Sequence, residues 1–455
     1  MFTMLNFIKQ IKFRWSDLAL LVGAAIFVLF VVEGQLFMFH QDPSEVNFPP
    51  VAAIILFIVG LIAFGIYIYL EYQRGNNPPI YVSVVAGVII LTGLIGIIIE
   101  PALSSFNVPV LGEVTIAVNW FNKCVFIFEL ILIVLFIYAT FFMFSKRFNS
   151  YLPLLVLCYI VFLFAFVVSL YSYIVEYSQM SNYLQVLFGY KEGNLTSTVS
   201  FLINPNAVGM AMLVAIIMAL IAHAIKPRWW YYLLAVFFFI NLFFTYCRGS
   251  IFFAAISILA YLIYRLVVTF KTHKTRNIIL IVVLSSIVIT LALLFGVTLG
   301  YKGYILPHLF SALNAFTNPS SMSSRADLYK LSFMLLKDGY WAIGRGFGVF
   351  NLLLTNVNPD KANYVTPAHN GFIAVLGEGG IIFALMYLAI TAYSVFVIIK
   401  SFKKSPHIIF AVILGITSFF FYSLFETIQY LMYFYIFILL MVANINKVNI
   451  YPFNK

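Results

Sequence analysis

Few side chains in this sequence could do chemistry, and they come in a fixed order. Arg248 stands in Thr245-Tyr-Cys-Arg-Gly-Ser250, and Arg325 follows Ser324. Arg345 lies inside Gly344-Arg-Gly-Phe-Gly348. His369-Asn370 comes next, then Glu378 within Leu376-Gly-Glu-Gly-Gly380, and last Glu426. Arginine suits a phosphate group, because its planar fork donates two parallel charged hydrogen bonds and never deprotonates. A neutral imidazole accepts a proton near neutral pH, which makes His369 a candidate general base. Asn370, Arg345, Glu378 and Glu426 are candidates to support that base or to bind sugar hydroxyls.

Each of these residues also has a plain structural reading. Arg248 could bridge to an acid, Arg325 could be a solvated surface residue, and His369 could be a polar residue at a helix boundary. Glu378 and Glu426 each equally fit a buried acid held by hydrogen bonds. The Gly344–Gly348 tract lacks the strand-before, helix-after setting of a nucleotide fold and the P-loop lysine. It reads as a tight turn where backbone approaches something closely.

The elements that must position these groups are membrane helices. Of 455 residues, AVILMFWYC make up 64% and the charged set only 9%, against about 45–50% apolar and about 25% charged in soluble domains. No water-soluble fold hides so much apolar surface, which excludes a cytosolic enzyme, a secreted disulfide scaffold and a disordered chain. Cys124, Cys158 and Cys247 are an odd, dispersed set that makes neither a disulfide framework nor a zinc site.

Crossing the hydrocarbon core takes apolar runs of about 20 residues. Twelve are legible, at 18–38, 50–71, 80–100, 123–144, 152–175, 199–223, 229–246, 250–270, 277–300, 370–399, 407–425 and 427–446. The fold class expected is therefore an all-α polytopic membrane bundle. The first run is too long for a cleaved signal peptide and reads as a retained span.

Lys and Arg near span ends stay on the cytoplasmic side. With the N-terminus inside, most of the 26 Lys and Arg fall in inside segments, and the short outside segments hold only Lys123, Lys191 and Arg248. Both termini are then cytoplasmic. The net charge of +11 is an orientation signal with no need for nucleic acid. Most of the 29 Tyr and 5 Trp sit at expected interfaces, as aromatic belts do.

The outward loop over 301–369 is far longer than the other connections, and loops of that length usually have a function or are disordered. This one contains a helix signal. Ser324 and Asp327 fit a capping box, Leu328, Leu331 and Leu335 form one apolar stripe, and Asp338-Gly339 stops it. The plain reading is an amphipathic helix lying on the outer membrane surface, with Arg325 in its first turn. The chain thus divides into residues 1–300, the loop 301–369, and 370–455 with the last spans and a cytoplasmic tail.

The ordered set resembles the O-antigen ligase and polysaccharide polymerase superfamily of bacterial envelopes, whose members have a similar number of spans and one large outward loop late in the chain. The resemblance rests on Thr245–Ser250, Ser324-Arg325, Asp338-Gly-Tyr-Trp341, Ile343–Gly348, Ala368-His-Asn370 and Leu376–Gly380. It covers roughly residues 200–400 and departs at Cys247, where the family often has Ser, and at Trp341-Ala342, which replace a usual Pro.

The resemblance implies a cell-membrane glycosyltransferase with its active site on the extracytoplasmic face. It implies an inverting transfer from undecaprenyl pyrophosphate with no metal and no cofactor. His369 would be the catalytic base, and Arg248 and Arg325 would bind the donor pyrophosphate. The partners implied are a lipid-linked donor and acceptor, the bilayer, and chain-length regulator and flippase proteins.

Within that family, a polymerase would join lipid-linked repeats into capsule, exopolysaccharide or O-antigen. A ligase would move the glycan to lipid A core, protein or another anchor. The richness in Phe, Ile, Asn, Lys and Tyr suggests an AT-rich genome, of a kind found in single-membrane bacteria without lipid A, and favours the polymerase. A flippase is the opposing class; it would place ionisable groups near the membrane midplane in repeated halves, and neither feature stands out.

Overall fold

The computed structural model describes residues 16–26, 50–75, 80–108, 111–146, 152–187, 198, 200, 205–245, 247–270, 275, 278, 319–358, 368–402 and 405–425. The expected span 427–446, nearly all of 277–300, most of 18–38 and the site candidate Glu426 lie outside the described residues.

Helices dominate. In chain order they are α1 (Ser16–Ile26), α2 (Pro50–Gln73), α3 (Ile80–Ile99), α4 (Trp120–Lys146), α5 (Leu152–Val175), α6 (Tyr177–Leu187) and α7 (Pro205–Ile225). They continue as α8 (Trp230–Phe244), α9 (Arg248–Thr269), α10 (Pro319–Leu335), α11 (Tyr340–Ile343), α12 (Val349–Val357), α13 (Gly371–Phe402) and α14 (Pro406–Phe425). Among the described residues, eight are long and apolar enough to cross a membrane: α2, α3, α4, α5, α7, α9, α13 and α14. The chain is a multi-pass helical bundle, as its hydropathy requires.

Helix α7 is the axis of the bundle. Its apolar window is 94% buried, and α5, α8, α9 and α14 pack around it. Ala215, Ala219 and Ala222 are fully buried, and such small residues let helices approach closely where lipid offers no hydrophobic drive. The outer helices instead turn Leu163, Leu233 and Ile263 outward, as expected of surface that lipid covers. Within the expected span 199–223 the helix runs Pro205–Ile225, and Pro suits the first helical position.

Among the described residues, one hairpin interrupts the helices. Strands β1 (Leu103–Val108) and β2 (Gly112–Ala117) form an antiparallel hairpin with Leu103 opposite Ala117 and Val108 opposite Gly112. Pro101 follows the end of α3, and Ser104, Val108 and Ile116 face inward while Ser105 and Thr115 face out. Period-2 alternation of this kind signals a strand. It hides in a short connection between two strongly apolar runs.

The loop helix departs from expectation in two ways. It starts at Pro319, so Ser324 and Arg325 lie inside it and no capping box forms at Ser324. Its stripe Leu328, Leu331 and Leu335 is buried against α12 and α13. The stripe therefore packs on protein, rather than lying on a membrane surface.

Candidate functional site

The candidate residues gather at the end of the bundle where α7, α9 and α13 begin and α3, α8 and α14 finish. Three contacts bring these ends together. Tyr422 Oη on α14 donates to the Asn206 carbonyl at the start of α7, at 3.4 Å. Cys247 Sγ lies 3.5 Å from the same hydroxyl. Asn370 Nδ2 donates to the Leu424 carbonyl at 3.3 Å.

Arg248 is the first residue of α9. Cys247 before it is extended, with φ −78° and ψ 91°. Its N–H donates to Thr245 Oγ1 at 3.1 Å, and its sulfur sits 3.2 Å from Ser250 Oγ. The turn between α8 and α9 is thus built by side chains of the Thr245–Ser250 motif. Cys247 occupies a position where its small polarizable side chain touches both a serine and a tyrosine.

His369 takes a positive φ of 48°, a conformation a non-glycine residue keeps only when its surroundings enforce it. Two neighbours enforce it. Asn370 caps α13: its Oδ1 accepts the N–H groups of Phe372 and Ile373 at 3.0 and 3.1 Å. Tyr329 on the loop helix donates from Oη to the His369 carbonyl at 3.3 Å. The imidazole is half-buried at the mouth of α13. Arg325 stands one helical turn before Tyr329 on α10 and shares its helix face.

Arg345 is held more tightly than its surface-like sequence context suggests. Its side chain is 6% exposed and pairs with a fully buried Glu100. Nη1 reaches the two carboxylate oxygens at 3.2 and 3.0 Å. Nε donates to the Leu335 carbonyl at 2.7 Å, and the guanidinium lies 3.3 Å from the Tyr340 ring centroid. Ser104 adds a 2.6 Å hydrogen bond to Glu100, while buried Lys123 donates to the Glu100 carbonyl. Burial, then the Glu100 charge, pushes the Tyr340 phenol above its ordinary value, so the ring meets Arg345 uncharged.

The glycines around Arg345 meet those around Glu378. Helix α13 breaks at Gly380, with φ 66° and ψ −165°. The Gly377 and Glu378 carbonyls accept the N–H groups of Arg345 and Gly346 at 2.8 and 3.0 Å. A Cβ on Gly346 would collide with the backbone of Gly96 and Ile97 on α3. The close approach expected of the glycine tract is therefore to protein backbone on two sides. The Glu378 side chain is 4% exposed and accepts Asn351 Nδ2 on α12 at 3.2 Å.

Arg248 opens α9 and His369-Asn370 opens α13 at this end, and Arg325 lies on the loop helix that meets His369 through Tyr329. Arg345 and Glu378 are both buried. Glu100, Tyr329, Tyr340, Asn351 and Tyr422 complete the assembly, and sequence reasoning passed over them. Glu100 could have been noticed as a lone carboxylate closing an apolar run, but nothing local names its partner.

Residues 233–388 match the family model described as O-antigen ligase, which accords with the resemblance carried by the motifs. The matched stretch runs from α8 through the loop helix to the first half of α13. It supports a role of O-antigen ligase or polymerase type in surface polysaccharide assembly. No curated protein matches the chain.

Proposed function

We propose that this chain, with its O-antigen ligase match over residues 233–388, is a polymerase. It would join undecaprenyl-pyrophosphate-linked oligosaccharide repeats on the extracytoplasmic face of the cell membrane, with both termini in the cytoplasm. The observation that carries this reading is the strained His369, fixed by its own helix cap and by the loop helix that bears Arg325.

In this reading an acceptor sugar hydroxyl attacks the anomeric carbon of the donor and inverts it. His369 takes the hydroxyl proton as the new C–O bond forms. The anomeric carbon–phosphate oxygen bond breaks, and undecaprenyl pyrophosphate leaves with the electron pair. Arg248 and Arg325 offset the growing charge on that leaving group. A donor of this kind contributes about 10²–10³ in rate, and a positioned base about 10²–10⁴. The reaction uses no metal and no cofactor. The loop helix shields the site so that sugar, rather than water, attacks.

A ligase differs only in its acceptor: lipid A core, protein or another surface anchor. The family match leaves the acceptor open, and the composition, typical of an AT-rich genome, favours the polymerase. The test is glycan chain length in cells carrying His369→Ala at normal protein level. The polymerase reading expects accumulation of single lipid-linked repeats. Unchanged long polymer would sink the catalytic assignment, and loss of transfer with long polymer still lipid-linked would identify a ligase.

A further inference from the structure

We infer that Glu100 is a positioning residue for the transfer reaction, holding the loop helix α10 over His369 through Arg345. This rests on the reading of His369 and Arg325 given above.

A single guanidinium ties three elements together. Arg345 pairs with Glu100 at the end of α3, donates to the terminal carbonyl of α10 at Leu335, and stacks on Tyr340 of α11. A cation at a helix C-terminus is favoured by the partial negative charge of the free carbonyls there. Nη1 shared between both carboxylate oxygens, Nε on Leu335 and the ring contact with Tyr340 together fix the direction of the planar guanidinium. The stripe Leu328, Leu331 and Leu335 also holds α10, but apolar contact is non-directional. The hydrogen bond from Tyr329 to His369 is a single tether. Arg345 is thus the anchor that fixes the tilt of the helix, and Glu100 fixes Arg345.

The lever is long enough to matter. Arg325 and Leu335 lie about 15 Å apart along the helix axis, so a tilt of about 4° at Leu335 moves the Arg325 backbone by about 1 Å. A misplacement of about 1 Å costs about 10²-fold in rate. The glycine turn does not depend on Glu100, because its backbone is bonded to Gly377 and Glu378. Loss of the carboxylate therefore frees the guanidinium without dissolving the turn.

The experiment uses the full chain in lipid nanodiscs. The substrate is the lipid-linked repeat isolated from host cells that lack this protein. Glu100→Gln keeps shape and removes charge; Glu100→Asp keeps charge at shorter reach. The expected result is a fall of about 10²-fold in kcat for Glu100→Gln, with KM for the repeat within about twofold and partial recovery in Glu100→Asp. In a Cys124→Ser background, spin labels at Lys330→Cys and Trp120→Cys should show a broadened distance distribution in Glu100→Gln and a narrower one in Glu100→Asp. A kcat per folded molecule equal to wild type, with unchanged label distances, overturns the inference. A loss explained wholly by less folded protein overturns it as well. Neither result touches the function reading, which the His369→Ala chain-length experiment tests separately.

Discussion

Arg345 Nη1 lies 3.0 Å from a Glu100 carboxylate oxygen, across 245 positions of sequence. Both side chains are buried, so the pair must be kept whole: removing one partner of a buried ion pair costs about 3–5 kcal/mol, because the other charge is left uncompensated. Arg345→Met should therefore lower thermal stability in detergent sharply, and Glu100→Leu/Arg345→Met should recover much of that loss. Melting temperatures of the two variants measure this. A double variant less stable than either single one would argue against the pair being a self-contained unit.

Arg248→Lys and Arg325→Lys keep charge and lose the guanidinium fork. Each should reduce transfer by about 10²-fold or more, since one preorganised donor to a developing anion is worth about 10²–10³. Undiminished polymer length in the double variant would remove bidentate pyrophosphate binding from the mechanism.

Asn370 both caps α13 and donates to the Leu424 carbonyl. Asn370→Asp preserves the capping oxygen and loses the donor; Asn370→Ala loses both. Loss of a cap costs about 1 kcal/mol, so Asn370→Ala should melt earlier than Asn370→Asp. Equal melting temperatures would show that the cap contributes little here.

Tyr329→Phe removes the hydroxyl that meets the His369 carbonyl and leaves the ring. A hydrogen bond of this kind contributes about 0.5–1.5 kcal/mol. The variant should fold normally and turn over a few-fold to about tenfold slower. A rate equal to wild type would assign His369's backbone strain to Asn370 alone.

Gly346→Ala places a methyl group against the α3 backbone at Gly96 and Ile97, at a φ of 98° that L residues rarely adopt. Neither backbone can yield cheaply. The variant should accumulate poorly, whereas Gly339→Ala, at a positive φ but in open space, should accumulate better. Membrane protein levels of the pair separate crowding from backbone strain.

The sequence by itself determined the membrane class, the positions of most spans and the turn-forming nature of the Gly344–Gly348 tract. Those are local sums: hydropathy over a window, and the freedom of glycine at one position. It also singled out His369-Asn370, because a polar pair at the start of an apolar run is visible without a partner.

Only the tertiary structure decided what each candidate touches. Arg345 stood as a candidate to support the base or to bind sugar hydroxyls, and its side chain is a buried tie to Glu100. The stripe on the loop helix looked made for a membrane surface, and α12 and α13 cover it. The hairpin after α3 was lost between two apolar runs. A contact between residues hundreds of positions apart leaves no periodic trace in sequence. An apolar stripe likewise reads the same whether lipid or protein will bury it, because the hydrophobic effect has no direction.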